Sequence, residues 1–122
     1  MKKANLKKAD GCVLLQNLQV AESFSEKLKG LLGRAGLGRD EGLVLPDCSS
    51  IHTFFMRFAL DIVFVSKDWR VTEVVHGVSP GNAVRAKAPE GRHTLELGEG
   101  RAHELAIAVG DQLVIEYEKP AP

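Results

Sequence analysis

The sequence predicts a mainly β, single-domain protein, built as a compact β-sandwich or a partly open barrel with one early α-helix packed on it. Three observations support this prediction. The chain has 122 residues, which fits one hydrophobic core. Its apolar runs are mostly short and are separated by turns that use many of its 12 glycines and 5 prolines. Only one segment repeats its apolar residues with a helical period.

We expect one domain over residues 1–122, with an ordered core from about residue 12 to residue 117. The basic N-terminal segment M-K-K-A-N-L-K-K and the residues after Tyr117 are expected to be tails. Strands are predicted over residues 13–20, 42–46, 51–56, 60–65, 70–76, 94–97 and 112–117. The strongest hairpin joins strands 60–65 and 70–76 through the turn S-K-D-W.

The early helix has a defined start. Ser23 and Glu26 have the spacing of a capping box. Gly33 or Gly36 can end the helix, and Gly30 is expected inside it, at a close backbone contact. The predicted apolar face consists of Phe24, Leu28, Leu31 and Leu32.

Charge and hydropathy exclude several classes of function. Lysine plus arginine equals aspartate plus glutamate, at 16 each, so we expect neither a nucleic-acid partner nor a membrane partner. No apolar run is long enough for a transmembrane helix, and none resembles a secretion signal. We therefore expect a cytoplasmic protein whose two cysteines are free thiols. No cofactor is implied.

Four elements in order resemble the DUF192 (UPF0127) family of small bacterial and archaeal proteins. They are G-L-L-G-R at 30–34, I-H-T-F-F-M-R-F-A-L-D-I-V-F-V at 51–65, T-L-E-L-G-E-G at 94–100 and V-G-D-Q-L at 109–113. The resemblance covers residues 12 to 117. It implies a predominantly β domain with an early helix, and it implies no activity. The family hairpin usually has Gly where this chain has Trp69, which matters if that position needs a positive φ.

Asp61 is the first candidate site residue, because it lies in a strand that looks buried on both faces. Arg57 and Arg34 are its natural partners, since a guanidinium binds a carboxylate with two hydrogen bonds. The structural interpretation is that Asp61 accepts backbone and arginine hydrogen bonds. The functional interpretation is a carboxylate at the floor of a cleft.

The phenylalanine-rich segment offers an apolar surface. If the strand over 51–56 continues, Phe54, Met56 and Phe58 share one face, and Phe55 and Arg57 share the other. At least two of the first three are expected in the core. An exposed remainder would suit a ligand or a partner protein.

Cys48 and His52 could be a nucleophile and its base, but no further signature surrounds them. A zinc site is weaker still, because the Cys-x-x-x-His spacing occurs once and zinc ligands usually come in two close pairs. We therefore predict no metal site. Glu96 and Asp111 are expected to pair with the basic side chains Arg85, Lys87, Arg92 and Arg101.

The leading functional hypothesis is a non-catalytic module that binds a small polar or anionic ligand. Its predicted site is Arg34, Phe55, Arg57 and Asp61. One alternative is a hydrolase or transferase that uses His52 and Asp61 as acid–base groups, with Cys48. The other is a protein-interaction module that uses the phenylalanine patch. The partner is thus an unidentified small molecule or protein.

Overall fold

The computed structural model describes residues 1–119, apart from the side chains of Phe24 and Leu28. This part of the chain forms nine strands and two short helices. In chain order they are β1 (Lys2–Lys8), β2 (Val13–Val20), α1 (Phe24–Lys29), β3 (Glu41–Leu45), β4 (Ser50–His52), β5 (Leu60–Val65), β6 (Val71–Val78), β7 (Ala83–Arg85), β8 (His93–Gly98), α2 (Arg101–Glu104) and β9 (Leu113–Tyr117).

Seven strands form one curled sheet in the order β6-β5-β8-β3-β2-β1-β9. Of the neighbouring strand pairs in this sheet, β2 and β3 are parallel and the others are antiparallel. The two edge strands, β6 and β9, are joined near their N-terminal ends. There Val71 N–H donates to Asp111 O (2.8 Å) and Leu113 N–H donates to Trp69 O (2.9 Å). The predicted mainly β fold with an early helix is confirmed. Of the two predicted architectures, the structure has the partly open barrel. Strands β4 and β7 form a second, two-stranded sheet.

The curled sheet separates two hydrophobic clusters. The interior cluster fills the barrel and includes Leu6, Leu15, Val63 and Leu95, together with Ala102 from α2. The exterior cluster lies on the other face of the sheet and includes Leu43, Ile62 and Phe64, with Ile51 and Met56 packed against it. Strands β5 and β8 are therefore covered on both faces. For β5 this is what its continuous apolar sequence predicts.

The N-terminal segment is not a tail. Strand β1 pairs with β2 on one side and with β9 on the other. Ala4 and Leu6 are buried in the barrel interior, while Asn5 between them and the lysines on either side are more exposed. The ordered core thus begins near residue 4 and not near residue 12. The predicted C-terminal tail falls largely outside the described residues.

Helix α1 begins as predicted but ends early. Ser23 Oγ accepts from Glu26 N–H (3.1 Å), and Glu26 Oε1 accepts from Ser23 N–H (3.1 Å), which completes the capping box. Gly30, with φ 48°, ends the helix, so its placement inside the helix was wrong. Neither helix of residues 1–119 has the length and hydropathy needed to cross a membrane.

The predicted strand over 51–56 stops at His52. Thr53 is still held beside the segment that precedes β7, because its N–H donates to Asn82 O (2.7 Å) and its Oγ1 donates to Ser79 O (2.7 Å). The chain then turns, and Phe55 has a φ of 64°. The alternation of phenylalanines expected from an unbroken strand was therefore wrong. Trp69, at the hairpin position where glycine is usual, also has a positive φ, of 66°.

Candidate functional site

A cleft of about 110 Å³ lies on the exterior face of the sheet, between the end of α1, strand β4 and strand β8. We call it the Glu96 cleft. Its apolar walls include Leu31, Leu45, Ile51 and Met56. Its polar lining includes Lys27, Lys29, Cys48, Ser50, His52 and Glu96. A cleft with apolar walls and a few convergent polar groups is the usual form of a small-molecule site.

Glu96 is the unusual residue of this cleft. It lies in the middle of β8, opposite Leu43 of β3 and Ile62 of β5, and only 6% of it is exposed. Its carboxyl group has no hydrogen-bond or ion-pair partner within residues 1–119, and burial raises its pKa to about 7. A buried carboxyl group without a donor is energetically costly.

The carboxyl oxygens of Glu96 are not sealed inside the protein. Among the described residues, Arg101 Nε is the only side-chain nitrogen or oxygen that is both enclosed and unpaired. Since the Glu96 oxygens are unpaired, they keep some exposed surface, and Glu96 lines the cleft. Glu96 therefore presents a free hydrogen-bonding group to any molecule that enters.

Two lysines also line the Glu96 cleft. Lys27 and Lys29 belong to the last turn of α1, where the helix dipole favours positive charge. Neither ammonium group has a carboxylate within 4 Å in the described part of the chain. The cleft thus combines one acidic group at its floor with two unpaired cations from the adjoining helix.

Cys48 and His52, the alternative acid–base pair, both line this cleft but do not contact each other through a hydrogen bond. Cys48 Sγ donates to Ser50 O (3.0 Å), so the thiol is held as a donor. The His52 ring stacks on Phe54 at 5.0 Å between ring centroids. No three His, Cys, Asp or Glu side chains within residues 1–119 are grouped closely enough to hold a metal ion.

Asp61 lies on the interior side of the sheet and is 0% exposed. Its Oδ1 accepts from Gly77 N–H (2.9 Å) in β6, and its Oδ2 accepts from Ala102 N–H (3.0 Å) at the start of α2. Gly100, which precedes α2, has no side chain to cap the helix, so Asp61 supplies that acceptor from a neighbouring strand. The expected partner arginines are replaced by two backbone N–H groups.

The other three residues of the predicted site lie elsewhere. Arg34 forms an ion pair with Glu41 (2.8 Å), which lowers the pKa of that carboxyl group, beside a separate hollow lined by Lys3 and Asn17. Phe55, 90% exposed, and the exposed Arg57 lie in the turn after β4. No hydrogen bond or ion pair within residues 1–119 joins any two of the four predicted residues.

Sequence reasoning missed Glu96. It expected this residue and Asp111 to pair with the basic side chains that surround them in sequence. Glu96 has no such pair, and Asp111 lies 3.5 Å from Lys8 instead. The available signal was the pattern T-L-E-L, because a strand that buries Leu95 and Leu97 on one face directs Glu96 to the other face.

Comparisons with solved structures found proteins of similar fold. A protein of unknown function from Novosphingobium aromaticivorans DSM 12444 superimposes with a TM-score of 0.76 at 28% identity, over 92% of this chain and 83% of that one. A putative transcription regulator from Sinorhizobium meliloti 1021 superimposes with a TM-score of 0.79 at 21% identity, over 93% and 92%, which shows a shared fold alone. No curated protein matches the chain.

The model of the DUF192 family, described as an uncharacterized ACR, matches residues 5–115. This match covers nearly the whole described chain, from β1 to β9. It includes Glu96 and all the candidate site residues discussed above. The resemblance found in the four sequence elements is thereby confirmed, and the chain belongs to the DUF192 family.

Proposed function

We propose that this protein is a non-catalytic binding module for a small polar molecule and that the Glu96 cleft is its binding site. The observation that carries the proposal is Glu96, which is buried, has no partner for its carboxyl group within residues 1–119 and lines the cleft. Burial of such a group opposes folding, and a ligand that donates a hydrogen bond to it would offset that cost.

Binding without chemistry is supported by the polar groups of the cleft. A covalent mechanism needs a nucleophile within hydrogen-bond reach of its base. In the described chain the thiol of Cys48 donates to a backbone carbonyl, and His52 stacks on an aromatic ring. The hydrolase or transferase alternative also needs Asp61 to reach a substrate, and both oxygens of Asp61 accept backbone hydrogen bonds inside the barrel.

The site predicted from the sequence, which includes Phe55 and Arg57, is a second proposal for where a ligand binds. Phe55 and Arg57 are exposed and able to contact a ligand, whereas Arg34 is paired with Glu41. We further propose that the protein acts in the cytoplasm, where its two free cysteines would stay reduced.

A protein-interaction role is favoured by one specific observation. Phe55 is 90% exposed and adopts a φ of 64°, which a bulky side chain rarely does, and its neighbour Phe54 is 44% exposed. Strained and exposed residues often lie at contact sites. The two aromatic rings follow directly after β4, next to the Glu96 cleft, so both functions could use adjacent surfaces.

The proposal is tested by titrating the isotope-labelled protein with acetate, acetamide, methylammonium and glycine while its backbone amide spectrum is recorded. We expect at least one probe to shift the amides of β8 and β4, and Glu96→Gln to weaken that binding about tenfold or more. Glu99→Gln, which changes an exposed glutamate near the end of the same strand, is the matched control and should bind normally. Shifts that avoid the cleft, or equal binding by Glu96→Gln, would contradict the proposal.

A further inference from the structure

We propose that the ligand of the Glu96 cleft is a small zwitterion of the amino-acid type, with its ammonium group against the carboxylate of Glu96 and its anionic group at Lys27 and Lys29. This inference rests on the proposed function and names the ligand class for the same site. It follows from the charged groups that line the cleft, from the size of the cleft and from its apolar walls.

At the floor of the cleft, Glu96 accepts hydrogen bonds, and no neighbouring group of residues 1–119 donates one to it. An ionised carboxylate only accepts hydrogen bonds, and an ammonium group only donates them, three at a time. No protein donor reaches Glu96 from within residues 1–119, and its neighbours across the sheet, Leu43 and Ile62, are apolar. An anionic ligand group at the floor would instead meet a group of like charge or require Glu96 to stay protonated. The floor therefore favours the cationic end of a ligand.

The helix side of the cleft has the opposite character. Lys27 is half-buried and Lys29 is exposed, and neither has a carboxylate within 4 Å in the described part of the chain. Lysines at the end of a helix are common for reasons of the helix dipole, so alone they would not mark a site. Here they adjoin a buried carboxyl group that needs a cation. A ligand with both charges satisfies both ends of the cleft at once.

The cleft admits only a small molecule. Its volume is about 110 Å³. Drug-sized ligands usually occupy about 300 Å³ or more. The space suits an amino acid with a short carbon chain, whose methylene groups would pack on Leu45, Ile51 and Met56.

Binding of a zwitterion in this way should release a proton from Glu96. Burial holds the pKa of Glu96 at about 7 in the free protein, so near neutral pH part of the population carries a proton there. An ammonium group beside Glu96 stabilises the carboxylate, so binding releases that proton and tightens as the pH rises through 7. The other titratable groups that line the cleft are Lys27, Lys29, Cys48 and His52.

The test uses the full chain and compares glycine, β-alanine and 4-aminobutyrate with acetate and methylammonium, by calorimetry and amide spectra. We expect one of the zwitterions to bind about tenfold or more tightly than either singly charged probe, with a dissociation constant of about millimolar. Binding should release protons when measured in two buffers of different ionisation enthalpy. Glu96→Gln should lose the proton release, and the Lys27→Gln, Lys29→Gln double variant should lose the preference for zwitterions over methylammonium.

The outcomes separate this inference from the proposed function. If acetate, acetamide or methylammonium occupies the cleft as tightly as every zwitterion, the ligand class is wrong while the cleft remains a binding site. Proton uptake on binding would likewise overturn the zwitterion. If no probe of either panel shifts the cleft amides, both proposals fail. The amide spectrum of the Lys27→Gln, Lys29→Gln double variant reports whether it is folded. A loss of preference in a folded variant is then an effect on binding.

Discussion

Asp61 and Glu96 are two buried carboxylic acids on neighbouring strands of one sheet, and they differ in what surrounds them. Asp61 faces the barrel interior, and each of its oxygens accepts one backbone N–H. Glu96 faces the exterior cluster, in register with Ile62 beside Asp61, and has no partner within residues 1–119. Burial is nearly equal for the two residues. The supply of donors therefore distinguishes a structural acid from a candidate ligand group.

The comparison predicts a large loss of stability when the carboxyl group of Asp61 is removed. Asp61→Ala leaves the N–H groups of Gly77 and Ala102 unpaired in the core, and we expect the free energy of unfolding to fall by about 4 kcal/mol. Urea unfolding followed by circular dichroism measures this. Asp68→Asn, in the exposed turn before β6, is the control and should change little. Unchanged stability of Asp61→Ala would remove the structural role assigned to Asp61.

Glu96 should make the stability of the protein depend on pH. The folded state raises the pKa of Glu96 from 4.5 to about 7, so its proton is bound more tightly in the folded than in the unfolded chain. This contribution to stability is complete below pH 4.5 and is lost as the pH rises through about 7, a decrease of about 3 kcal/mol. Urea unfolding at a series of pH values should show the decrease in Glu99→Gln but not in Glu96→Gln. Equal pH profiles for the two variants would contradict the buried, unpaired state of Glu96.

Gly77, whose N–H donates to Asp61, gives a second test of the structural role of Asp61. It has a φ of 61°, and a Cβ atom there would lie 3.1 Å from Glu99 Oε2. Gly77→Ala should therefore cost about 1–2 kcal/mol, less than Asp61→Ala. Because Gly77 donates to Asp61, the double variant should be less destabilised than the sum of the single variants. Strict additivity in this double-mutant cycle would show that the two residues act independently.

Local patterns predicted much of the fold. The capping box of Ser23 and Glu26, the hairpin after Val65 and the final strand were all visible as short-range signals. Strand β1 was not, because its lysines resemble a solvated tail and its partner β9 lies more than a hundred residues away. The strand predicted through Phe54 failed for a similar reason. The carbonyl groups that accept hydrogen bonds from Thr53, where the strand has ended, belong to Ser79 and Asn82.

The candidate site was less predictable than the fold. The burial of Asp61 could be inferred from the apolar residues around it, but its donors come from positions 77 and 102. The position of Glu96 between Leu95 and Leu97 indicates which face it occupies. It does not indicate whether the structure opposite that face supplies a donor. Alternation thus predicts direction, whereas hydrogen-bond satisfaction depends on tertiary structure.

The pairing of the first strand with the last also constrains how the chain folds. Ala4 lies opposite Tyr117, and Leu6 lies opposite Ile115. During synthesis, β1 can pair with β2 early but must wait for β9 until nearly the whole described chain has left the ribosome. Until then Leu6 and Leu15 lack the cover that Leu113 provides in the interior cluster. Closure of the barrel is consequently a late, long-range step, of the kind that makes β proteins slow to fold and dependent on protection from aggregation.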